Sequence, residues 1–504
     1  MRIAIVGGGP GGLFLATLLR RADPSIQVTV FERNRAEDTF GFGVVFSDRT
    51  LAGIHDADPV LREALAEHGR HWDVIEVRLK GERIRCGGNG MASVVRHTLL
   101  RLMQQRAAAV GAELRFSTEV ALTDLADFDL VVAADGASST IRQNLAAAGV
   151  DLGETVETAT AKFIWFGTDY QFDGLTFVHE RGPHGVFAVH GYPISDDRST
   201  FIVETDEASW RAAGLDSFDV TQPPGPSDLV TKAYLESLFS EQIDGRSLLV
   251  NNSRWGNFRT RRTRRWHSLD PAPVALLGDA VHTAHFSVGS GTKMAMEDAV
   301  ALTTALTGHQ NGLPSALAAY EAAAQPSVRG IQDSARPSLA WWEHFGRYHD
   351  VFEPWQFGYH FLTRSITDAR LARRAPEFVA ASHAGWRREH GAEPLDTPFE
   401  HAGVALPGRA VEVVPDGGAA LEAPAHEGEL PTAFARLARL ADAAPAFVAV
   451  HGGTPLTRTL VCEQARMHHK LPALLVDPDL DEDRAITAVL SGRADLVALP
   501  GATA

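Results

Sequence analysis

The sequence predicts a mixed α/β and α+β protein, in which a Rossmann-like domain carries an inserted antiparallel sheet and is followed by a small C-terminal α/β domain. Three observations predict it. The chain opens on an apolar run, residues 3–6 (IAIV), followed by Gly7, Gly9 and Gly12 in G-x-G-x-x-G spacing. Residues 163–204 alternate aromatic, β-branched and polar side chains between turns at Asp173-Gly174, Gly182-Pro183 and Asp196-Asp197. Residues 446–499 alternate short apolar strands with helical stretches.

A chain of 504 residues exceeds one typical core, and about two to four domains are expected. The net charge of −16 argues against wholesale binding of nucleic acid or an anionic membrane, while leaving room for a local basic site. Only Cys86 and Cys462 are present, so a disulfide framework is not expected and a reducing, cytoplasmic setting fits. The apolar opening is broken by glycines and followed by Arg20 and Arg21, which reads as strand, turn and helix rather than a signal peptide. No apolar run reaches the roughly 18 residues that a membrane span needs.

The first seventy residues have the order of a dinucleotide cradle. Gly7, Gly9 and Gly12 permit a tight turn, close approach of a diphosphate and close helix packing, with Pro10 among them and a helix over residues 13–21. The helix start presents free N–H groups to phosphate oxygens. A second apolar strand, residues 27–31, ends at Glu32, whose carboxylate can accept from a ribose hydroxyl, so an adenosine cofactor with a free ribose is expected.

Two later segments repeat the strand-turn-helix order. Residues 129–142 (DLVVAADGASSTIR) run into Asp135-Gly136, and residues 273–298 (PVALLGDAVHTAHFSVGSGTKMAMED) into Gly278-Asp279. Together with the first, these segments resemble the three fingerprints of the group A flavoprotein monooxygenases, the para-hydroxybenzoate hydroxylase family. The resemblance implies that fold and bound FAD, with Asp135 beside the diphosphate and Asp279 on the ribityl chain. Arg96, in residues 93–103 (SVVRHTLLRLM), is similar to the family's phosphate-contacting arginine, and Arg33 to its adenosine neighbour. Phe286 and Lys293 depart from the proline and asparagine usual in the wider family. The loop 282–293 (HTAHFSVGSGTK) instead resembles a narrower subgroup acting on salicylyl-CoA and aminobenzoyl-CoA. Residues 40–48 (FGFGVVFSD) look like the segment that subgroup lays over the flavin ring, with Val45 against it.

The resemblance implies hydroxylation of an aromatic ring through a C4a-hydroperoxyflavin, with NADH or NADPH as a transient reductant and O2 as oxidant. The expected product carries oxygen at the 5-position of salicylyl-CoA or of a 2-aminobenzoyl-CoA. Ser287, Gly289, Gly291 and Thr292 are expected near the flavin pyrimidine, where backbone N–H groups at a helix start stabilise negative charge. His285 is the candidate for the substrate hydroxyl, because an imidazole can take and return that proton near neutral pH; the alternative is that His282 and His285 brace the loop. Trp165, Phe177, Phe187, His190 and Tyr192 are candidate cavity-lining residues, though each is as readily core.

Arg259, Arg261 and Arg262, with Arg254, Arg264 and Arg265 nearby, suit the phosphates of coenzyme A. Alternating arginines paired with local carboxylates are the other reading. No metal site is expected. The expected partition is an FAD domain over 1–75, 95–160 and 268–335, and a substrate domain over 76–94 and 161–267. A helical segment at 336–395, with aromatic residues for a core or a homodimer interface, a linker at 396–430 and the α/β domain at 431–504 complete it. The tail resembles the closing units of an old-yellow-enzyme barrel, but falls far short of the roughly 250 residues of a whole one, so no FMN is expected. Competing functions are a hydroxylase of a free aromatic acid or indole-type substrate, a halogenase, disfavoured by the absence of W-x-W-x-I-P, and a non-catalytic flavin carrier or sensor.

Overall fold

In a computed structural model of the chain, which describes residues 1–39, 41–220, 225–285, 289, 291–308 and 312–503, the apolar opening forms the strand Arg2–Val6. Ile3, Ala4 and Ile5 are fully buried, as expected of a strand covered on both faces of a parallel sheet. Gln27–Phe31 and Leu130–Ala133 flank it in parallel, with Ile3 opposite Val28 and Leu130. Val274–Leu276 lies parallel to Leu130–Ala133 on the far side. The strands that begin the three motif segments are therefore adjacent, and Gly7, Asp135 and Gly278 all follow their carboxyl ends, the edge where open α/β sheets bind ligands.

The chain divides into two units, Met1–Asp73 with Asn89–Glu343, and Val74–Gly88 with His344–Ala504. In the first unit the helices Pro10–Ala22 and Gly291–Gly308 meet closely: a Cβ on Gly11 would stand 2.6 Å from Leu277 Cδ2 and 3.0 Å from Ala295 Cβ. A second, antiparallel sheet orders its strands Leu248–Leu249, Glu154–Thr168, Ser199–Thr205, Gly185–Pro193 and Leu175–Gly182, with Gly256–Thr263 paired to Glu154–Thr168. Its two-residue period separates two faces. Ile164, Phe166, Val178, Val189, Phe201 and Val203 pack under Leu235, Phe239 and Ile243. Trp165, Phe177, His190, Tyr192 and Ile202 line a cavity on the opposite face. Phe187, expected to line the cavity, lies in the packed core instead, because it is out of phase with His190 and Tyr192 along the strand. A third, small sheet joins Gly43–Ser47, Met91–Val95 and Arg70–Trp72.

The second unit holds the hairpin Ile75–Leu79 with Glu82–Cys86, so residues 76–94, expected within the substrate domain, divide between the two units. Phe345, Tyr348, Phe357, Tyr359 and Phe361 are fully buried core, which removes them from any interface role. A five-stranded parallel sheet follows in the order Ala410–Val413, Leu496–Thr503, Ala473–Val476, Val448–His451, Ala419–Glu422. Residues 396–430 are thus not a bare linker. Their prolines and glycines punctuate short strands, two of which form the edges of this sheet. Among the described residues, no helix is long and apolar enough to cross a membrane and no cluster of metal-ligating side chains occurs.

Candidate functional site

The glycine loop is shaped by its own backbone. Gly7 has φ +114°, and a Cβ there would lie 2.2 Å from Ala134 O; a Cβ on Gly12 would lie 2.2 Å from Gly7 O. Gly9 differs, since its Cβ would meet no protein atom within 4 Å. It caps the helix Pro10–Ala22 without a side-chain hydrogen bond, leaving the first helical N–H groups without intrahelical acceptors. The Glu32 carboxylate reaches back to this turn, accepting from Gly8 N at 2.8 Å and from Asn34 N at 2.8 Å. Arg33 beside it is exposed.

At the second motif, Asp135 Oδ2 accepts from Ile141 N at 3.1 Å, while Oδ1 is buried with no hydrogen-bond partner among the described residues. An orphan carboxylate oxygen beside an open glycine turn is expensive unless a ligand satisfies it. These features suit a dinucleotide.

The second and third motifs are tied together by side chains that lie between them in space. Arg142 donates to Ala137 O at 2.9 Å and Ala280 O at 2.6 Å. Arg261 donates to Ala137 O at 2.8 Å and to Asp279 O at 3.4 Å. Glu154 holds both guanidinium groups, at 3.1 Å and 2.8 Å. Arg261, expected on a coenzyme A phosphate, is therefore a buried strut between two loops, and strand alternation turns Arg262 to the other face, where it meets Asp333 at 2.8 Å. Arg259 is exposed. Replacing Arg261 by methionine is expected to loosen both loops and weaken flavin retention roughly ten- to a hundredfold, read by flavin titration of the apoprotein.

In the third motif Asp298, buried on the helix Gly291–Gly308, accepts from Gly278 N at 2.9 Å and contacts His282 Nε2 at 2.7 Å. Burial opposes charge on His282, but Asp298 more than offsets it and raises the imidazole pKa. His282 is a loop brace. Asp279 opens to the cavity while set deep in protein; burial raises its carboxyl pKa against the pull of His282, Arg96 and Arg261.

The cavity has a volume of about 320 Å³. Val45 and Arg96 form one part of its lining, Trp165, Phe177, His190 and Tyr192 the sheet wall, and Asp279, Gly289, Gly291, Thr292 and Lys293 the third-motif side. Burial pushes the Tyr192 hydroxyl up to about 12, against Thr200 and Arg96, so it stays protonated. Asn251 Nδ2 donates to Thr39 O at 3.1 Å and Gly41 O at 3.0 Å, fixing the turn before Val45. Ser287 and Phe286 lie outside the described residues.

His285 is 2 % exposed and does not belong to the described cavity lining. Its ring meets Phe258 edge-on at 5.0 Å, and its Nε2 lies 3.7 Å from Glu204 Oε2. Glu204 is buried, and its other oxygen, Oε1, lies 2.7 Å from His190 Nε2. Burial opposes the charge of Glu204, but the two imidazoles outweigh it and lower the carboxyl pKa. The motifs alone pointed to neither Glu204, Glu154 nor Asn251. The one trace of Glu204 is its phase within the strand Ser199–Thr205, which shares a face with Ile202.

The comparisons with known proteins agree with this geometry. A family model described as an FAD binding domain matches residues 1–335. Over 99% of this chain and 99% of its own length, a salicyloyl-CoA 5-hydroxylase from a Streptomyces species is 56% identical. A 3-hydroxy-4-methyl-anthranilyl-[aryl-carrier protein] 5-monooxygenase from Streptosporangium sibiricum is 37% identical over 70% of this chain and 91% of that protein. The solved 2-methyl-3-hydroxypyridine-5-carboxylic acid oxygenase shares the fold with a TM-score of 0.55 and 18% identity, covering 72% of this chain and 98% of that one. The glycine cradle, the orphan acceptor on Asp135 and these matches converge: the chain belongs to the FAD-binding family of flavoprotein monooxygenases.

Proposed function

We propose that the chain hydroxylates an aryl coenzyme A thioester, adding one oxygen atom at the 5-position of salicyloyl-CoA with NADH or NADPH as reductant. The observation that carries this is the 56% identity to the Streptomyces salicyloyl-CoA 5-hydroxylase along both whole chains, which extends past residue 335, where the family match ends. When bound and reduced, FAD supplies the activation of O2 and the delivery of one oxygen atom.

The protein's own residues do the rest. Gly7, Gly9 and Gly12, with Pro10 starting the helix, bring backbone N–H groups to the diphosphate. Glu32 and Arg33 flank the adenosine ribose, Asp135 serves the diphosphate end, and Asp279 the ribityl chain. Arg96 places positive charge beside them. Val45, Gly289, Gly291 and Thr292 bound the ring, and the aromatic wall of Trp165 and Phe177 excludes water, which protects the oxidising step from unproductive peroxide release. A 2-hydroxyl group on the guest donates electron density to its para carbon, so orientation against this wall sets the position attacked. Arg259 and Arg262 remain the candidate contacts for coenzyme A phosphates.

Incubation of the purified protein with NADH and either salicyloyl-CoA or free salicylate, followed by mass spectrometry, tests the reading. Only the thioester is expected to gain an oxygen atom. Equal hydroxylation of the free acid would overturn it.

A further inference from the structure

We infer that Arg262, Arg264 and Arg329 form a subsite for the ribose phosphomonoester of an adenine nucleotide, the 3′-phosphate of coenzyme A or the 2′-phosphate of NADPH. This deepens the reading above, in which the aryl thioester and the reductant are both adenine nucleotides, and rests on it. The three guanidinium groups line one pocket of about 190 Å³, which shares no lining residue with the aromatic cavity. Its walls are the paired strands at Thr155 and Arg262 and one face of the helix Leu313–Val351, where Gln325, Arg329 and Gln332 recur at helical spacing.

Two glutamines tie the helix wall to the rest of the pocket. Gln325 Nε2 donates to Arg264 O at 2.7 Å, and Gln332 Nε2 donates to Arg261 O at 2.7 Å and to Thr283 O at 2.9 Å. Gly153 has φ +63°, and a Cβ there would stand 2.8 Å from Arg264 Nε, so glycine at the turn is what lets the Arg264 side chain lie across it. Strand alternation, which turns Arg261 inward to Glu154, puts Arg262 on the pocket side. Arg329 donates to Gln325 Oε1 at 2.8 Å and meets no carboxylate among the described residues. Arg262 pairs with Asp333 at 2.8 Å and Arg264 with Asp151 at 3.5 Å, but the two carboxylates are 67 % and 77 % exposed. Exposed pairs hold weakly, so both guanidinium groups can turn to a stronger anion. A phosphomonoester is doubly charged above about pH 6 and offers three acceptor oxygens, which suit the donor forks of clustered arginines. In a chain of net charge −16, this is a local site of opposite sign.

The test is calorimetric binding of adenosine 3′,5′-bisphosphate, adenosine 2′,5′-bisphosphate and 5′-AMP to flavin-loaded wild type, R264Q and R329Q. Wild type is expected to bind one bisphosphate at least about tenfold more tightly than 5′-AMP, a preference that weakens with added salt. Each variant is expected to lose most of that preference, while flavin content and melting temperature stay as in wild type. If one variant does not retain flavin, the other carries the comparison. Preference for the 3′ isomer assigns the subsite to the thioester, and preference for the 2′ isomer assigns it to the reductant. Equal binding of all three nucleotides by wild type, or a preference untouched by the substitutions, overturns the subsite while leaving the hydroxylase reading intact. Failure of the thioester to gain oxygen in the mass-spectrometric assay overturns the substrate reading, whatever the nucleotides do.

Discussion

Gly7→Ala is expected to give a colourless protein without hydroxylase activity. Two independent causes act at that position. A φ of +114° belongs to backbone that side chains other than glycine rarely adopt, at a cost of about 1–3 kcal/mol. The added Cβ would also sit 2.2 Å from Ala134 O and 2.9 Å from Asp135 N, backbone atoms with no rotamer to yield. The turn must open, and it carries both the diphosphate cradle and the approach to Asp135. Gly9→Ala separates the ligand's share from the fold's. Its Cβ meets nothing in the protein within 4 Å, so melting temperature should barely move while flavin affinity falls at least about tenfold. Flavin content after gel filtration, measured beside thermal unfolding, checks both variants. A Gly9→Ala protein with full flavin affinity would place the diphosphate elsewhere.

Glu463→Gln is expected to cost the second unit about 3–5 kcal/mol, the usual penalty for removing one partner of a buried charge network. Glu463 is 2 % exposed. It accepts from the Tyr348 hydroxyl and from Arg347 Nη2 at 3.1 Å, and lies 3.1 Å from His360 Nε2 and 3.7 Å from Arg493 Nε. Burial works against its charge, but His360, Arg347 and Arg493 outweigh it and hold the carboxyl well below the usual range. Burial first, and Arg493 next, push His360 down to about 3 despite Glu463. The two groups lose stability on the same side. His360 binds a proton in the unfolded chain from about pH 6.5 and resists it in the folded one, so its share falls as the pH drops below that value. The contribution of Glu463 is complete above the ordinary carboxylate pKa of about 4.5 and is lost only as the pH falls towards its lowered folded value. Denaturant unfolding at pH 7 and pH 5 should therefore show wild type weakening on acidification, and Glu463→Gln weak at both.

What the sequence revealed is what local backbone geometry dictates. Gly7, Gly9 and Gly12, Asp135 and Asp279 each lie just beyond a strand, before or within the helical turn that follows it in the same short segment, so their placement needs no knowledge of the rest of the chain. The pairings hidden in the sequence are set by register between distant strands. Glu204 meets His190 and His285 only because Ser199–Thr205 pairs with Gly185–Pro193 in one phase, and the same phase sends Phe187 into the core. Arg261 looked like one of a run of phosphate ligands, yet Glu154, 107 residues away, draws it inward. Composition misled at residues 396–430, where proline and glycine separate strands too short to show a period.

The most direct test of the account is turnover of the purified, flavin-containing protein with NADH and salicyloyl-CoA under isotopically labelled O2. The product thioester is predicted to carry one labelled oxygen on the ring carbon para to its hydroxyl, with NADH oxidation accelerated by the thioester. A polypeptide that retains no flavin, or one that returns all the labelled oxygen as hydrogen peroxide and leaves the ring unchanged, would contradict it.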